Sequence, residues 1–208
     1  MKRFTWMVLS LGLLLAAAPG AFAQTAAAPA AMPAAPTAGF RAEILNELAG
    51  LEQRFLSLAQ AVPPEKYTWR PAEGVRSISE VYMHVAGANY GLPRLVGVSP
   101  PAGFNQRGFD TSVTEKAKVI ETLRQSFAHV RQAVLNMPDA DGEKKVKLFG
   151  ADNTYRGTLV FIVRHMAEHL GQSIAYARMN SVAPPWTEEQ QRRVQQQQQQ
   201  LQKEKPKQ

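Results

Sequence analysis

Four separate stretches of the chain place apolar residues at steps of three and four, the repeat that lines one face of an α-helix. The first runs from Phe40 to about Val62 and carries Ile44, Leu48, Leu51, Phe55, Leu58 and Val62, with Pro63-Pro64 ending it. The second begins at Ser77, where Ser77-Ile-Ser-Glu80 forms a capping box, and continues through Ile78, Val81, Val85, Ala88 and Leu92. The third is predicted to start at a second such box, Ser112-Val-Thr-Glu115, and its stripe is Ile120, Leu123, Phe127, Val130, Val134 and Met137. The fourth spans Thr154 to Asn180, with Leu159, Ile162, Met166, Leu170, Ser173 and Ala177 on its main face. No segment alternates with a period of two for long enough to define a strand, and only Lys144 to Phe149 suggests a short extended piece. Four amphipathic helices that need one another's apolar faces predict an all-α fold, a four-helix bundle with long inter-helix loops. Loops of this length usually carry function or hold structure of their own. Tyr67, Trp69 and Pro71 are expected to pin the first of them onto the end of the bundle.

The two ends differ in composition from this middle. Lys2 and Arg3, the apolar stretch from Trp6 to Ala18, the break at Pro19-Gly20 and the small-x-small Ala21-Phe22-Ala23 read together as a secretory signal cleaved after Ala23. The apolar run is shorter than the ~20 residues a bilayer span requires, so no stable membrane insertion is expected once the signal is removed. The chain has no cysteine, which excludes disulfides, a lipoprotein anchor and a catalytic thiol. An exported protein of this kind belongs in the periplasm or outside the cell. The reading divides the chain into residues 1–23 (signal), 24–38 (Ala/Pro-rich linker), 39–186 (bundle) and 187–208 (a Gln/Lys-rich tail, disordered or partly helical). Thr187-Glu-Glu-Gln190 is the capping box with which that tail would open a helix. Lysines and arginines exceed acids by 7, but Lys2 and Arg3 leave with the signal and five basic residues against three acids lie from Pro184 onward. No basic stripe interleaved with aromatics remains, and nucleic acid is excluded as a partner.

The chemistry rests on histidines. His165 and His169 are four apart on a helix, so both imidazoles project from one face on neighbouring turns, the spacing that offers two nitrogens to one metal ion. His84 sits at the edge of the second helix's stripe, beside Val81 and Ala88, and edges of facing stripes converge inside a bundle. The competing reading of each is a core-edge histidine hydrogen-bonded to a carbonyl. His129 shares its flank with Lys118, Thr122, Gln125 and Asn136 and is expected at the surface. Glu80, one turn before His84, is a candidate to orient that ring, and its place in the capping box is the favoured reading. Gln172 and Asn89 are candidates to line a pocket, and Tyr82 and Tyr90 to pack. Glu168 points about 100° away from His169 around the helix and is not a ligand.

Over Phe40 to Trp186 the chain resembles the DinB-like superfamily of metal-binding four-helix bundles. The residues that carry the resemblance are Trp69-Arg-Pro71, Val75-Arg-Ser-Ile-Ser-Glu-Val-Tyr-Met-His84, His165-Met-Ala-Glu-His-Leu-Gly-Gln172, Ala175-Tyr-Ala-Arg-Met-Asn180 and Pro184-Pro185. The resemblance implies a three-histidine metal site at His84, His165 and His169. One departure is Leu170, where many relatives carry arginine after the last histidine. Three imidazoles leave open positions on zinc or nickel, the arrangement of a catalytic site. The resemblance implies a metal-dependent transferase of the thiol S-transferase type, or a hydrolase, acting on a small molecule with a low-molecular-weight thiol as candidate partner. The alternative is a non-enzymatic periplasmic binder of metal or a small molecule. Catalytic residues are not assigned from the sequence, and a homodimer is one candidate assembly. Mass spectrometry of protein recovered from the periplasm should give a mature start at Gln24; a chain in the membrane fraction still beginning at Met1 would contradict the signal.

Overall fold

Three of the four bundle helices begin where a side chain accepts from one of the first orphan amides. The computed structural model describes residues 34–204, and the signal and most of the linker lie outside the described residues. Helix α1 covers Phe40–Ala61 and stops at Val62, whose extended backbone leads into the proline pair. Helix α2 covers Ile78–Gly91 and opens on the complete capping box: Ser77 Oγ accepts from Glu80 N, and a Glu80 carboxylate oxygen accepts from Ser77 N at 2.7 Å. Helix α3 covers Lys116–Asn136. Its expected Ser112 box does not form. The Ser112 hydroxyl donates instead to Phe109 O at 2.8 Å, and the cap is the Glu115 carboxylate, which accepts from Ala117 N. Helix α4 covers Tyr155–Met179, capped by Thr154 Oγ1 accepting from Gly157 N. Among the described residues no helix is long and apolar enough to cross a membrane.

The helices are not arranged in chain order. Helix α3 packs against α1 and α2, and α4 likewise packs against α1 and α2, so α1 lies across the bundle from α2, and α3 from α4. Such crossings need long connections from α1 to α2 and from α3 to α4, whereas α2 and α3 are neighbours and the loop between them is used to cover α2. The crossings also put α2 beside α4, the two helices that carry the histidine candidates. The predicted stripe residues Leu48, Leu51, Phe55, Val85, Leu123, Phe127, Ile162 and Met166 are all buried in one core. Tyr67 closes one end, donating its hydroxyl to Ala59 O at 2.7 Å, and Trp69 packs against Tyr176. Pro71, expected in that plug, is exposed.

Helix α2 is less amphipathic than its stripe suggests. Ser79, Tyr82, Met83, Ala86, Gly87, Asn89 and Gly91 are buried along with Ile78, Val81 and Val85: Tyr82 packs on Phe55 and Tyr67, Asn89 meets Ser126 of α3, and the α2–α3 loop covers Gly87 and Gly91. Gly87 and Gly91, one turn apart, make the close approach possible. A Cβ at Gly87 would lie 3.0 Å from Gln106 and 3.1 Å from Phe109, and one at Gly91 would lie 3.0 Å from Gln106. The loop's Phe104 and Phe109 form an aromatic group with Tyr90, whose ring also meets His129 at 5.6 Å between centroids. His129 is therefore half-buried rather than a surface residue, and burial lowers its pKa.

Between α3 and α4 the chain forms a small antiparallel hairpin, β1 (Lys145–Leu148) and β2 (Ala151–Thr154), with Lys145 opposite Thr154 and Leu148 opposite Ala151. The expected extended piece is β1. The second strand escapes sequence reading because Ala-Asp-Asn-Thr has weak strand preference and is held by its partner and the turn. That turn places Phe149 at φ 50° and Gly150 at φ 85°. Positive φ at both central residues is the type I′ condition, which asparagine and glycine meet easily and phenylalanine does not, at a cost of ~1–2 kcal/mol.

The tail carries a helix of its own. Helix α5 covers Pro185–Glu204, so it begins two residues before Thr187. Proline in the first turn presets φ, glutamine propagates a helix well, and Trp186 anchors the start against the core while α5 touches α1. Replacing Phe55 by alanine should lower the unfolding free energy by ~3–5 kcal/mol, whereas Val160→Ala, at an exposed position of α4, should change it by less than ~0.5 kcal/mol. Equal effects in denaturant titrations would contradict this assignment of the core.

Candidate metal centre

His84 lies midway along α2, and His165 and His169 lie one turn apart on α4. Packing of these two helices brings one ring nitrogen from each histidine into a group whose atoms lie within 4.8 Å of one another. His84 Nε2 and His165 Nε2 are 3.2 Å apart, and ring centroids are separated by 4.7 Å for His84–His169 and 4.5 Å for His165–His169. All three rings are half-buried. The structure thus places the three predicted residues together, and it leaves His129 elsewhere, against Tyr90.

The hydrogen bonds behind the rings decide which nitrogens face inward with a lone pair. Asp110 Oδ2 lies 3.1 Å from His84 Nδ1, and a carboxylate only accepts, so the proton sits on Nδ1 and Nε2 is free. Gln172 Oε1 lies 2.8 Å from His169 Nδ1, and the Gln172 amide is fixed in that orientation by donating from Nε2 to the Tyr176 hydroxyl at 3.0 Å. His169 Nε2 is therefore free as well. The short approach of His165 Nε2 to His84 Nε2 requires a proton or a cation between them. His165 Nδ1 is buried and has no hydrogen-bond partner among the described residues.

Burial favours the neutral ring at His84 and at His165. It lowers the His84 pKa, reinforced by the Arg76 charge and opposed by Asp110. His165 is pushed down to about 4, first by burial and then by His169 and His84. Converging ring nitrogens, with Nδ1 of His84 and of His169 each held by an acceptor behind it, are the donor set a borderline divalent ion requires, so the residues fit such an ion.

Asp110 is the residue sequence reading missed. It sits on a short 3-10 turn, Phe109–Thr111, in the α2–α3 loop, and the same oxygen that faces His84 accepts from Arg76 Nε at 3.0 Å. Its sequence carries no periodic signal; only the length of its loop hinted at a role. Glu80 acts as the cap, its second oxygen taking a hydrogen bond from Arg70 at 2.8 Å. Gln172 does face the site. Asn89 does not: it is buried and donates to Ser126 Oγ at 3.0 Å. Tyr82 is buried in the core, Leu170 is buried too, and Glu168 pairs on the surface with Arg164.

Two cavities flank the histidines. One, of about 230 Å³, is mainly apolar and is lined by His84, His165, Ala88, Leu92, Phe149, Phe161, Gly91, Gln106 and Arg94. The other, of about 500 Å³, has a mixed lining that includes Val75, Arg76, Glu80, Asp110 and Gln172. No carboxylate lines the first.

The His165 shift sets a pH dependence in the metal-free protein. Between about pH 4 and 6.5 the unfolded chain binds a proton that the folded ring refuses, so this group makes stability rise with pH across that window and fall as pH drops through it. His165→Gln should flatten the dependence of the denaturation midpoint over that range. An unchanged slope would show that His165 is not held neutral by its surroundings.

A family model for the DinB superfamily matches residues 47–173. Among solved structures, a DinB-like protein from Bacillus cereus ATCC 10987 is similar with a TM-score of 0.61 and 17% identity, covering 68% of this chain and 93% of that one. A second, the DinB-like protein YjoA from Bacillus subtilis, has a TM-score of 0.51 and 18% identity, covering 67% of this chain and 92% of that one. Both share the helical fold, and no curated protein matches. With the family model spanning more than half its length, the chain belongs to the DinB superfamily.

Proposed function

We propose that the protein is exported, holds one divalent metal ion through the Nε2 atoms of His84, His165 and His169, and acts there on a small molecule. The observation that carries this reading is the opening beside the site: His84 and His165 form one wall of the 230 Å³ apolar cavity. A storage or purely structural ion would be closed over by protein on every side, so the cavity favours an enzyme over a plain metal binder. Three protein ligands leave a position for an incoming group. An ion held there would act as a Lewis acid and lower the pKa of a water or thiol that binds it.

The protein's own residues supply orientation and exclusion of water. Asp110 and Gln172 hold two imidazoles in the ligating tautomer, and the apolar lining strengthens electrostatic interactions in the cavity. With no carboxylate in that cavity, no general acid or base is assigned. The chemistry that suits the site is metal-dependent transfer to or from a low-molecular-weight thiol, or hydrolysis, with zinc or nickel as the proposed ion among the several that imidazole ligands suit.

The test is metal content after reconstitution with zinc and with nickel. Wild type should hold one ion per chain. His84→Ala, His165→Ala and His169→Ala should each lose most of it, and His129→Ala should not. Asp110→Asn should weaken affinity by about 10–100-fold, the usual effect of losing a histidine's outer partner. Absence of stoichiometric metal in wild type, or tight binding by His84→Ala, would refute the site.

A further inference from the structure

Phe149 is hard to account for by folding. It is 79% exposed, and it occupies the first central position of the hairpin turn at φ 50°. Asparagine would suit that backbone better and would leave no large apolar ring in water. Strain combined with exposure at a cavity rim points to a role outside folding. The ring is in edge contact with Phe161 at 5.4 Å, and Phe161 stacks on His165 with ring planes 25° apart. One aromatic wall therefore runs from the rim of the apolar cavity to the histidine group.

Arg94 lines the same cavity from the 3-10 turn Leu92–Val96, which packs against β1 and α4. Its side chain is exposed and makes no ion pair or hydrogen bond among the described residues. With no carboxylate in the lining, Arg94 has no counter-charge there. An arginine free to present its planar fork beside an apolar wall recognises a carboxylate attached to an apolar body. The space is also of the right size: a cavity of roughly 150 Å³ takes a benzene ring, and this one is about 230 Å³.

From this juxtaposition we infer that the cavity binds a small organic anion with one aromatic ring, its carboxylate on Arg94 and its ring along Phe149 and Phe161. The inference deepens the proposed function by naming a substrate class, and it rests on that reading only for the reacting end of the molecule.

Calorimetric titration of the zinc-loaded protein with 3-phenylpropanoate, and with its uncharged counterpart 3-phenylpropanamide, tests it. The acid should bind wild type at least about tenfold tighter than the amide, as expected for a charge-assisted pair. Arg94→Gln should abolish that gap while leaving the zinc content intact, which separates Arg94 from any direct contact of the carboxylate with the ion. Phe149→Asn should weaken acid and amide alike while raising the thermal midpoint or leaving it unchanged. The inference fails if wild type does not distinguish acid from amide, if Arg94→Gln keeps the gap, or if Phe149→Asn binds both as wild type does. It fails too if Phe149→Asn melts at lower temperature, since the ring would then be structural. An Arg94-dependent gap that persists when zinc is not held by the three histidines would overturn only the metal reading. Stoichiometric zinc without the gap would overturn only this one.

Discussion

Helix α2 is 14 residues long, the shortest of the four that form the bundle, and it is covered on nearly every side. Helices α3 and α4 pack on it, and the loop that follows it folds back over the remaining face. That last contact depends on small residues: Gly87 and Gly91 leave the space in which Gln106, Phe104 and Phe109 sit. A helix covered this way cannot slide or rotate without opening the core. His84 is carried on it and inherits its fixed position.

The same packing links the core to the chemistry. Phe109, seated against Gly87, is followed at once by Asp110, whose carboxylate meets both His84 and Arg76. Arg76 directly precedes the Ser77 cap, so the start of α2, its middle and the loop beyond it are tied through one carboxylate. On the opposite helix, His169 is oriented by Gln172 and Tyr176, and Tyr176 packs on Trp69 from the plug at the end of the bundle. Two imidazoles are thus aimed by partners that are themselves anchored in packed structure. The third, His165, is placed by burial and by the ring of Phe161.

Much of this was legible in the sequence where the signal is periodic or local. The stripes of α1, α3 and α4 locate the core, Ser77 and Glu80 locate the start of α2, and the four-residue step from His165 to His169 puts two rings on one face. What stayed hidden depends on non-local packing. Neither Asp110 nor the burial of His129 has a local signature, because the first follows from how the α2–α3 loop folds over α2 and the second from the packing of α3 against Tyr90 of α2. The second hairpin strand has little preference of its own. Ser112 to Glu115 matches the capping pattern, yet the loop spends Ser112 on Phe109 and Glu115 becomes the cap. The tail's helix was hinted at by a capping box in the wrong place, since Pro185 and Trp186, not Thr187, begin it.

Three imidazoles converging on one ion, with a position left open toward the cavity, are the core of the proposed function. X-ray absorption spectroscopy of the zinc-reconstituted protein measures this directly. Three imidazoles, recognised by the multiple scattering of their rings, with nitrogens at about 2.0–2.1 Å and the remaining coordination from solvent oxygen, are expected in wild type, with two imidazoles remaining in any ion retained by His84→Ala. Fewer than three imidazoles in wild type, or a fourth protein ligand closing the open position, would contradict it.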